Sequence, residues 1–273
     1  MFSCPVCKGR LKQNKYGYCC KKGHRFDFSA QGYVNFLDAK HNPSDAGDNA
    51  MMVKARTDFL SLDLYRPLAD KVSEQIAYYL KDVDHPEILD CGCGEGYYTN
   101  IYAASFPKGN FYGMDLSKTA VRHGSSAAKK LGINNVKYAA ASCFELPFSD
   151  RTADMIVCTF APVSNDEYAR VLKKGGKLII VCPSPIHLSG LKELLYDEPY
   201  LNKANEYGLK NFAEVDSMRL EYEAELCSNK SIMDLFMMTP YYYKSPKEGR
   251  ERLENTEYLK TMCGFDILIY RKK

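Results

Sequence analysis

The chain has 273 residues, enough for one sizeable core with a small accessory module beside it. An apolar share of 45% and a charged share of 26% are those of a globular protein in water, and no apolar run approaches the roughly 20 residues of a membrane helix. The net charge of +3 is too small to imply a nucleic-acid partner by itself, and Met1-Phe2-Ser3-Cys4-Pro5 lacks the layout of a signal peptide, so a cytoplasmic protein without a membrane partner is expected.

Residues 1–37 read as short strands and knuckles: Phe2–Cys7, a turn at Lys8-Gly9, Tyr16–Cys20, and a knuckle at Lys22-Gly23-His24. A unit this small cannot hold itself together with an apolar core alone and needs a staple. Four of the eleven cysteines, Cys4, Cys7, Cys19 and Cys20, fall here, and a disulfide framework is not expected in the cytoplasm. The spacing Cys4-x2-Cys7-x12-Cys20-x3-His24 is that of a structural zinc site with four protein ligands and no open position. Cys19 and Cys20 would point to opposite faces of a strand, so only one can be a ligand; Gly23 before His24 favours Cys20. Lys8, Arg10, Lys12, Lys15, Lys21, Lys22 and Arg25 share the segment with one acid, Asp27, a local basic face suited to phosphates or simply to solvent.

Residues 38–60 are expected to be a linker, of which His41–Asp48 has the composition, followed by a helix at Met51–Leu60; residues 61–273 are expected to form the main domain. Arg66–Leu80 reads as an amphipathic helix. Candidate strands at Ile88–Cys91, Asn110–Asp115, Val136–Ala140, Asp154–Phe160 and Lys177–Cys182 alternate with helices at Tyr97–Ser105, Lys118–Leu131 and Asp166–Val171. That rhythm predicts an α/β, doubly wound, mostly parallel Rossmann-like sheet. Arg219–Cys227 and Phe265–Arg271, with a helix at Ser231–Met238, predict an antiparallel C-terminal addition to its edge. The remaining cysteines, Cys91, Cys93, Cys143, Cys158, Cys182, Cys227 and Cys263, read as small buried apolar residues.

A strand running into Asp90-Cys91-Gly92-Cys93-Gly94-Glu95-Gly96 points to a nucleoside-bearing ligand, because Gly92, Gly94 and Gly96 permit close approach of the backbone. Asp90 would repel a phosphate, and the spacing is not that of a dinucleotide loop. Asp115 ends the next strand, where a carboxylate accepts ribose hydroxyls. Together these point to S-adenosylmethionine. Glu95 is the candidate partner of its amino group, and Ala141-Ser142 the candidate for the adenine edge. After the fourth strand, Cys158-Thr159-Phe160-Ala161-Pro162 is the candidate acceptor wall, with Phe160 read either as a stacking platform or as core.

These residues, with the zinc module, resemble the bacterial 23S ribosomal RNA guanine-N1 methyltransferase family of the RlmA type. The resemblance is carried by Cys4-Pro5-x-Cys7, Gly23-His24-x-Phe26-Asp27, Gly32-Tyr33-Val34-Asn35, Gly47-Asp48 and Met51-Met52-x-x-Arg56-x-x-Phe59-Leu60. It continues through Tyr65-x-Pro67-Leu68, Gly92–Thr99, Leu146–Asp150, Ala161-Pro162, His187-Leu188-x-x-Leu191-Lys192 and Met238-Thr239-Pro240. It implies methyl transfer from S-adenosylmethionine to N1 of a guanine in a 23S rRNA hairpin. It also implies cofactor contacts from Tyr65, the Gly94-Glu95 turn and His187, with Tyr97 counted beside the loop; on its own, His187 reads as structural. Expected partners are that hairpin and a second copy of the chain. Guanine N1 carries a proton at neutral pH, so its removal needs a base or a polarising environment. Thr159, Phe160 and Pro162 include no such base, and none is assigned. A small-molecule methyltransferase and a non-catalytic RNA-binding protein of this fold are the alternatives.

Overall fold

A computed structural model of the chain describes residues 2–37, 49–203 and 206–273. The linker segment His41–Asp48 and the Gly47-Asp48 match lie outside the described residues. The first unit is a three-stranded antiparallel sheet of β1 (Leu11–Gln13), β2 (Gly17–Cys20) and β3 (Arg25–Asp27). Its first turn closes on Asn14, whose side chain accepts from the backbone N–H groups of Tyr16 and Gly17.

The two-residue strand β4 (Val34–Asn35) leaves that unit and pairs in parallel with the main sheet. Two helices follow, α1 (Ala50–Leu60), capped by Asn49, and α2 (Arg66–Tyr79), with Pro67 in its first turn. Then strands and helices alternate: β5 (Glu87–Cys91), α3 (Tyr97–Ser105), β6 (Asn110–Asp115), α4 (Lys118–Lys130), β7 (Val136–Ala140), β8 (Ala153–Thr159), α5 (Asn165–Val171), β9 (Leu172–Pro183) and α6 (Ser189–Leu195). The chain ends with β10 (Phe212–Leu226), α7 (Asn229–Met237), α8 (Tyr241–Lys244), α9 (Lys247–Glu254) and β11 (Leu259–Lys272).

The main sheet runs β10-β11-β9-β8-β5-β6-β7-β4; β10 and β11 are antiparallel additions and the other neighbours pair in parallel. The strand order reverses between β5 and β8, so their C-terminal ends form the crevice where ligands of such sheets bind. Side chains alternate by period two across the sheet. Ile88, Met155, Val157 and Ile179 face one core with Leu68, Val72 and Ile76 of α2, while Leu89, Cys91, Ile156, Cys158 and Leu178 face the other.

No helix joins β7 to β8, and the N-terminal unit covers the face that such a helix would fill. Phe2 is the pin. It bridges Phe148, and its ring meets Tyr18, Phe36 and Tyr112 edge-on at 5.0–5.4 Å. Ser3 N–H donates to Pro147 O, and Lys8 pairs with Glu145. No helix of the described residues is long and apolar enough to cross a membrane.

The expected elements are present, with ends shifted, and the expectation of burial for the scattered cysteines needs correction at Cys227, which is exposed, and at Cys143, which is half-buried. Strands β9, β10 and β11 begin five to seven residues earlier than their apolar runs suggest. The early parts of β9 and β10 are mostly polar and little buried, and those of β10 are held by its ladder with β11, whereas β11 opens on buried Leu259, Thr261 and Cys263.

Candidate functional site

The metal-ligand set forms two facing knuckles. Backbone bonds from Lys8 N–H to Cys4 O and from Gly23 N–H to Cys20 O close them, with Lys8 and Gly23 both left-handed. The ligand atoms of Cys4, Cys7, Cys20 and His24 lie within 4.8 Å of one another. Two Zn–S bonds of about 2.3 Å meeting at a tetrahedral angle span about 3.8 Å. Cys7 Sγ lies 3.7 Å from Cys20 Sγ, and His24 Nδ1 lies 3.3 Å and 3.4 Å from the sulfurs of Cys20 and Cys4. The set therefore fits a structural zinc ion with no coordination position left for chemistry. Cys19 stands outside it, near the Asn14 side chain. Burial pushes the Cys20 thiol up, but the His24 and Lys22 backbones and the Cys7 and His24 side chains outweigh it and bring the thiol down to about 6, favouring the thiolate a metal takes.

At the C-terminal end of β5 the chain turns on three left-handed glycines. Gly92 and Cys93 N–H both donate to Met114 O, which ties the turn to β6, and Gly94 N–H donates to Asp115 Oδ2 at 3.0 Å. Two of these glycines answer to protein packing as well as to conformation. A Cβ on Gly92 would overlap the side chain of Ala161, and one on Gly96 would overlap the Tyr138 hydroxyl and the backbone of Gly124. Asp115 is held by Gly94 N–H on Oδ2 and Ser117 N–H on Oδ1, which fixes its carboxylate at the C-terminal end of β6. Ser142 sits at the end of β7 beyond Asp115, its hydroxyl accepting from Phe144 N–H.

Asp90 is 1% exposed. Its Oδ2 accepts from the Thr99 hydroxyl, while its Oδ1 and the Tyr98 hydroxyl find no hydrogen-bond partner among the described residues. A buried carboxylate oxygen left without a donor is costly, and a ligand with donors or a positive charge removes that cost. Burial is the main cause of a carboxyl pushed up to about 7; the Thr99 bond pulls the other way, and Asp115 and Glu95 add to the rise. Glu95 is buried beside Asp90, with Arg56 Nη1 3.9 Å from its Oε2. The acidic, glycine-lined crevice fits a sulfonium nucleoside carrying an amino group and does not fit a pyrophosphate.

At the candidate acceptor wall after β8, Phe160 is 43% exposed and therefore not core. Its left-handed backbone, φ 55°, is tied by Phe160 N–H to Val181 O. Thr159 is buried, and its hydroxyl makes no hydrogen bond among the described residues, although the Tyr102 hydroxyl lies close enough to feel it. Pro162 is exposed, and its carbonyl accepts from Tyr168 of α5.

Behind this ledge, Gly264 N–H donates to His187 Nδ1 at 3.2 Å, which leaves the proton on Nε2, 3.4 Å from the Tyr65 hydroxyl. Burial, aided by the charge of Lys192, pushes the imidazole down to about 3. Tyr65 is itself buried, with Phe59 and Phe265 edge-on at 5.1 Å and 5.0 Å. Tyr97 is not gathered with them; its hydroxyl donates to Asp63. Sequence reasoning gave no role to Thr99, Gly264 or Arg56. A hydroxyl one turn into α3 was a usable signal for Thr99; the other two come from distant elements.

The N-terminal family described as "RlmA, N-terminal" matches residues 2–45, and the family described as "Methyltransferase domain" matches residues 82–239. A protein of Bacillus subtilis (strain 168), YxjB, provisionally named a 23S rRNA (guanine-N(1)-)-methyltransferase, is 32% identical over 285 residues, covering 100% of this chain and 97% of its own. The 23S rRNA (guanine(748)-N(1))-methyltransferase of Streptomyces fradiae is 31% identical over 194 residues, covering 70% of this chain and 66% of its own.

Proposed function

The chain belongs to the RlmA-type 23S rRNA (guanine-N1)-methyltransferase family, and on that premise we propose that it methylates N1 of a guanine in a 23S rRNA hairpin, in the cytoplasm where ribosomes are assembled. The observation that carries this reading is the joint presence of the Cys3His cluster and the Asp90–Asp115 crevice in one continuous molecule. S-adenosylmethionine, when bound, supplies an electrophilic methyl group that forms the new N1–C bond as its C–S bond breaks.

The protein's part is to bind and align. Asp115 takes the ribose hydroxyls, Asp90 and Glu95 face the positive charge, and the turn at Gly92–Gly96 fits closely beneath. Phe160 presents its exposed ring to the acceptor base, with Thr159 and the backbone at Ala161-Pro162 reaching the base edge. His187 is not the base that takes the N1 proton: its Nδ1 lone pair is occupied by Gly264 N–H and its Nε2 already carries hydrogen. Its part is to orient Tyr65. Alignment of the two reactants carries much of the acceleration in such a site.

Residues 1–37 act as the RNA-recognition module and residues 61–273 as the transferase. Lys12, Lys15, Lys21 and Lys22 are exposed, and the Lys15 ammonium lies 4.7 Å over the exposed Tyr16 ring, a basic and aromatic surface suited to an RNA backbone. Incubation with labelled S-adenosylmethionine and an unmethylated 23S rRNA transcript, followed by mapping of the modified base, tests the activity. Label on guanine N1 in a hairpin is the expected result; label on free metabolites alone, or none, overturns it. Charge reversal at the four lysines is expected to weaken RNA binding and flatten its salt dependence.

A further inference from the structure

Arg56 lies on α1, off the apolar stripe of Val53, Ala55, Phe59 and Leu60 that anchors the helix. Its guanidinium meets the glycine turn at two points. Nη1 is 3.9 Å from Glu95 Oε2, and a Cβ built on Gly94 would lie 3.5 Å from the same nitrogen. Gly92 and Gly96 have their missing side chains blocked by Ala161 and by Tyr138 with Gly124. Gly94 alone of the three opens towards a cation. The helix that delivers Arg56 is fixed by the Asn49 cap and by an ion pair from Lys230 of α7 to Asp58 at 2.7 Å.

The methionine end of S-adenosylmethionine is a zwitterion, an ammonium and a carboxylate on one carbon. Around the turn stand three carboxylates, Asp90, Glu95 and Asp115. A ligand carboxylate brought into that field without a cation would be repelled. Resting on the methyltransferase reading above, we propose that Arg56 binds the α-carboxylate of the cofactor while Glu95 receives its α-ammonium, so that the Arg56–Glu95 pair recognises the zwitterion. A planar guanidinium suits this task because its paired N–H groups match both oxygens of a carboxylate.

Calorimetric titration of the full chain with S-adenosylhomocysteine and with 5′-methylthioadenosine, which lacks the amino-acid end, tests the assignment. Arg56→Met is expected to weaken S-adenosylhomocysteine roughly 10- to 100-fold, the range of a charge-assisted hydrogen bond, and to leave 5′-methylthioadenosine within about twofold. Arg56→Lys, which keeps the charge but not the fork, is expected to fall between. Unchanged S-adenosylhomocysteine affinity in Arg56→Met overturns the proposal. So does an equal loss for both ligands in both variants, which would make Arg56 only a support of the turn. If the unaltered chain binds neither ligand, the methyltransferase reading itself fails, a result distinct from either of these.

Discussion

The ring of Phe160 lies over that of His187 with centroids 6.4 Å apart and planes 21° apart. Phe265 and Tyr98 meet the same phenyl ring at 5.7 Å and 6.5 Å, so an aromatic set backs the one ring of the group that solvent reaches. A left-handed phenylalanine is an uncommon and strained choice, and it persists only where its surroundings enforce it. Here the strain turns a large apolar ring outward at the end of β8, beside the cofactor turn.

Stacking on that ring makes Phe160→Ala the informative variant. Its kcat/KM on the RNA hairpin is expected to fall roughly 10- to 100-fold, the value of one base–aromatic stack. S-adenosylhomocysteine affinity, measured by calorimetry, should stay unchanged. Phe160→Tyr should retain most activity. An alanine variant as active as the parent would remove Phe160 from base recognition.

Asp90 ties pH to both stability and binding. Its carboxyl stands at about 7 when folded, against about 4 when unfolded, so the native state holds the extra proton between those values. The ligand-free protein therefore loses stability from this group as pH rises from about 4 through about 7, by up to about 4 kcal/mol. Asp90→Asn should abolish that decline in urea titrations while weakening cofactor binding. In the parent, a cationic ligand should bind with release of a proton near pH 6, detectable as a dependence of the calorimetric enthalpy on buffer.

His187 has the opposite sign. Its folded value of about 3 lies below the usual 6.5, so the unfolded chain takes up the proton first and stability falls as pH drops through that window. Between pH 7 and pH 5 the group's contribution should decline by about 2 kcal/mol. His187→Phe lacks this term, so its destabilisation relative to the parent should shrink by that amount at pH 5. A constant difference across pH would contradict a buried neutral imidazole.

Zinc and Phe2 hold the N-terminal unit in different ways, and two variants separate them. Cys20→Ser, or chelation, should release the metal and open residues 2–37 to limited proteolysis. Phe2→Ala should keep the zinc but cost about 3–5 kcal/mol through the cavity left among Tyr18, Phe36, Tyr112 and Phe148. Metal loss from the Phe2 variant would show that the pin, not the knuckles, organises the ligands.

Much of this architecture was legible in the sequence because its carriers are local. The apolar runs of β5 to β8 are bounded by turns, the knuckles repeat a fixed ligand spacing, and Asp115 follows the glycine turn at the end of the next strand. What was not legible depends on distant partners. Strand β4 is two residues long and exists through its ladder with Ala139 and Ala140. Helix α9 is polar along most of its length and buries only Gly249, against the Leu195 carbonyl, and Leu253. Gly96 reads as a ligand-facing glycine until Tyr138 and Gly124 are seen to fill its side. Arg56, in a helix of mixed character, gives no local sign that it ends at Gly94. Likewise the zinc unit reads as an appendage, whereas its aromatics complete the core on one face of the sheet.

The contact between Gly92 and Ala161 works as a gauge between two halves of a reaction. Its glycine belongs to the proposed cofactor turn and its alanine to the proposed acceptor ledge carrying Thr159 and Phe160, and they touch because one residue has no side chain. A single methyl group inserted there would act as a shim, lifting the acceptor ledge off the donor turn. Transfer along a line tolerates little of this, since an error of about 1 Å can cost about 100-fold in rate. The bareness of position 92 thus lets the glycine turn and the segment after β8 close on each other, apart from anything it does to admit a nucleoside.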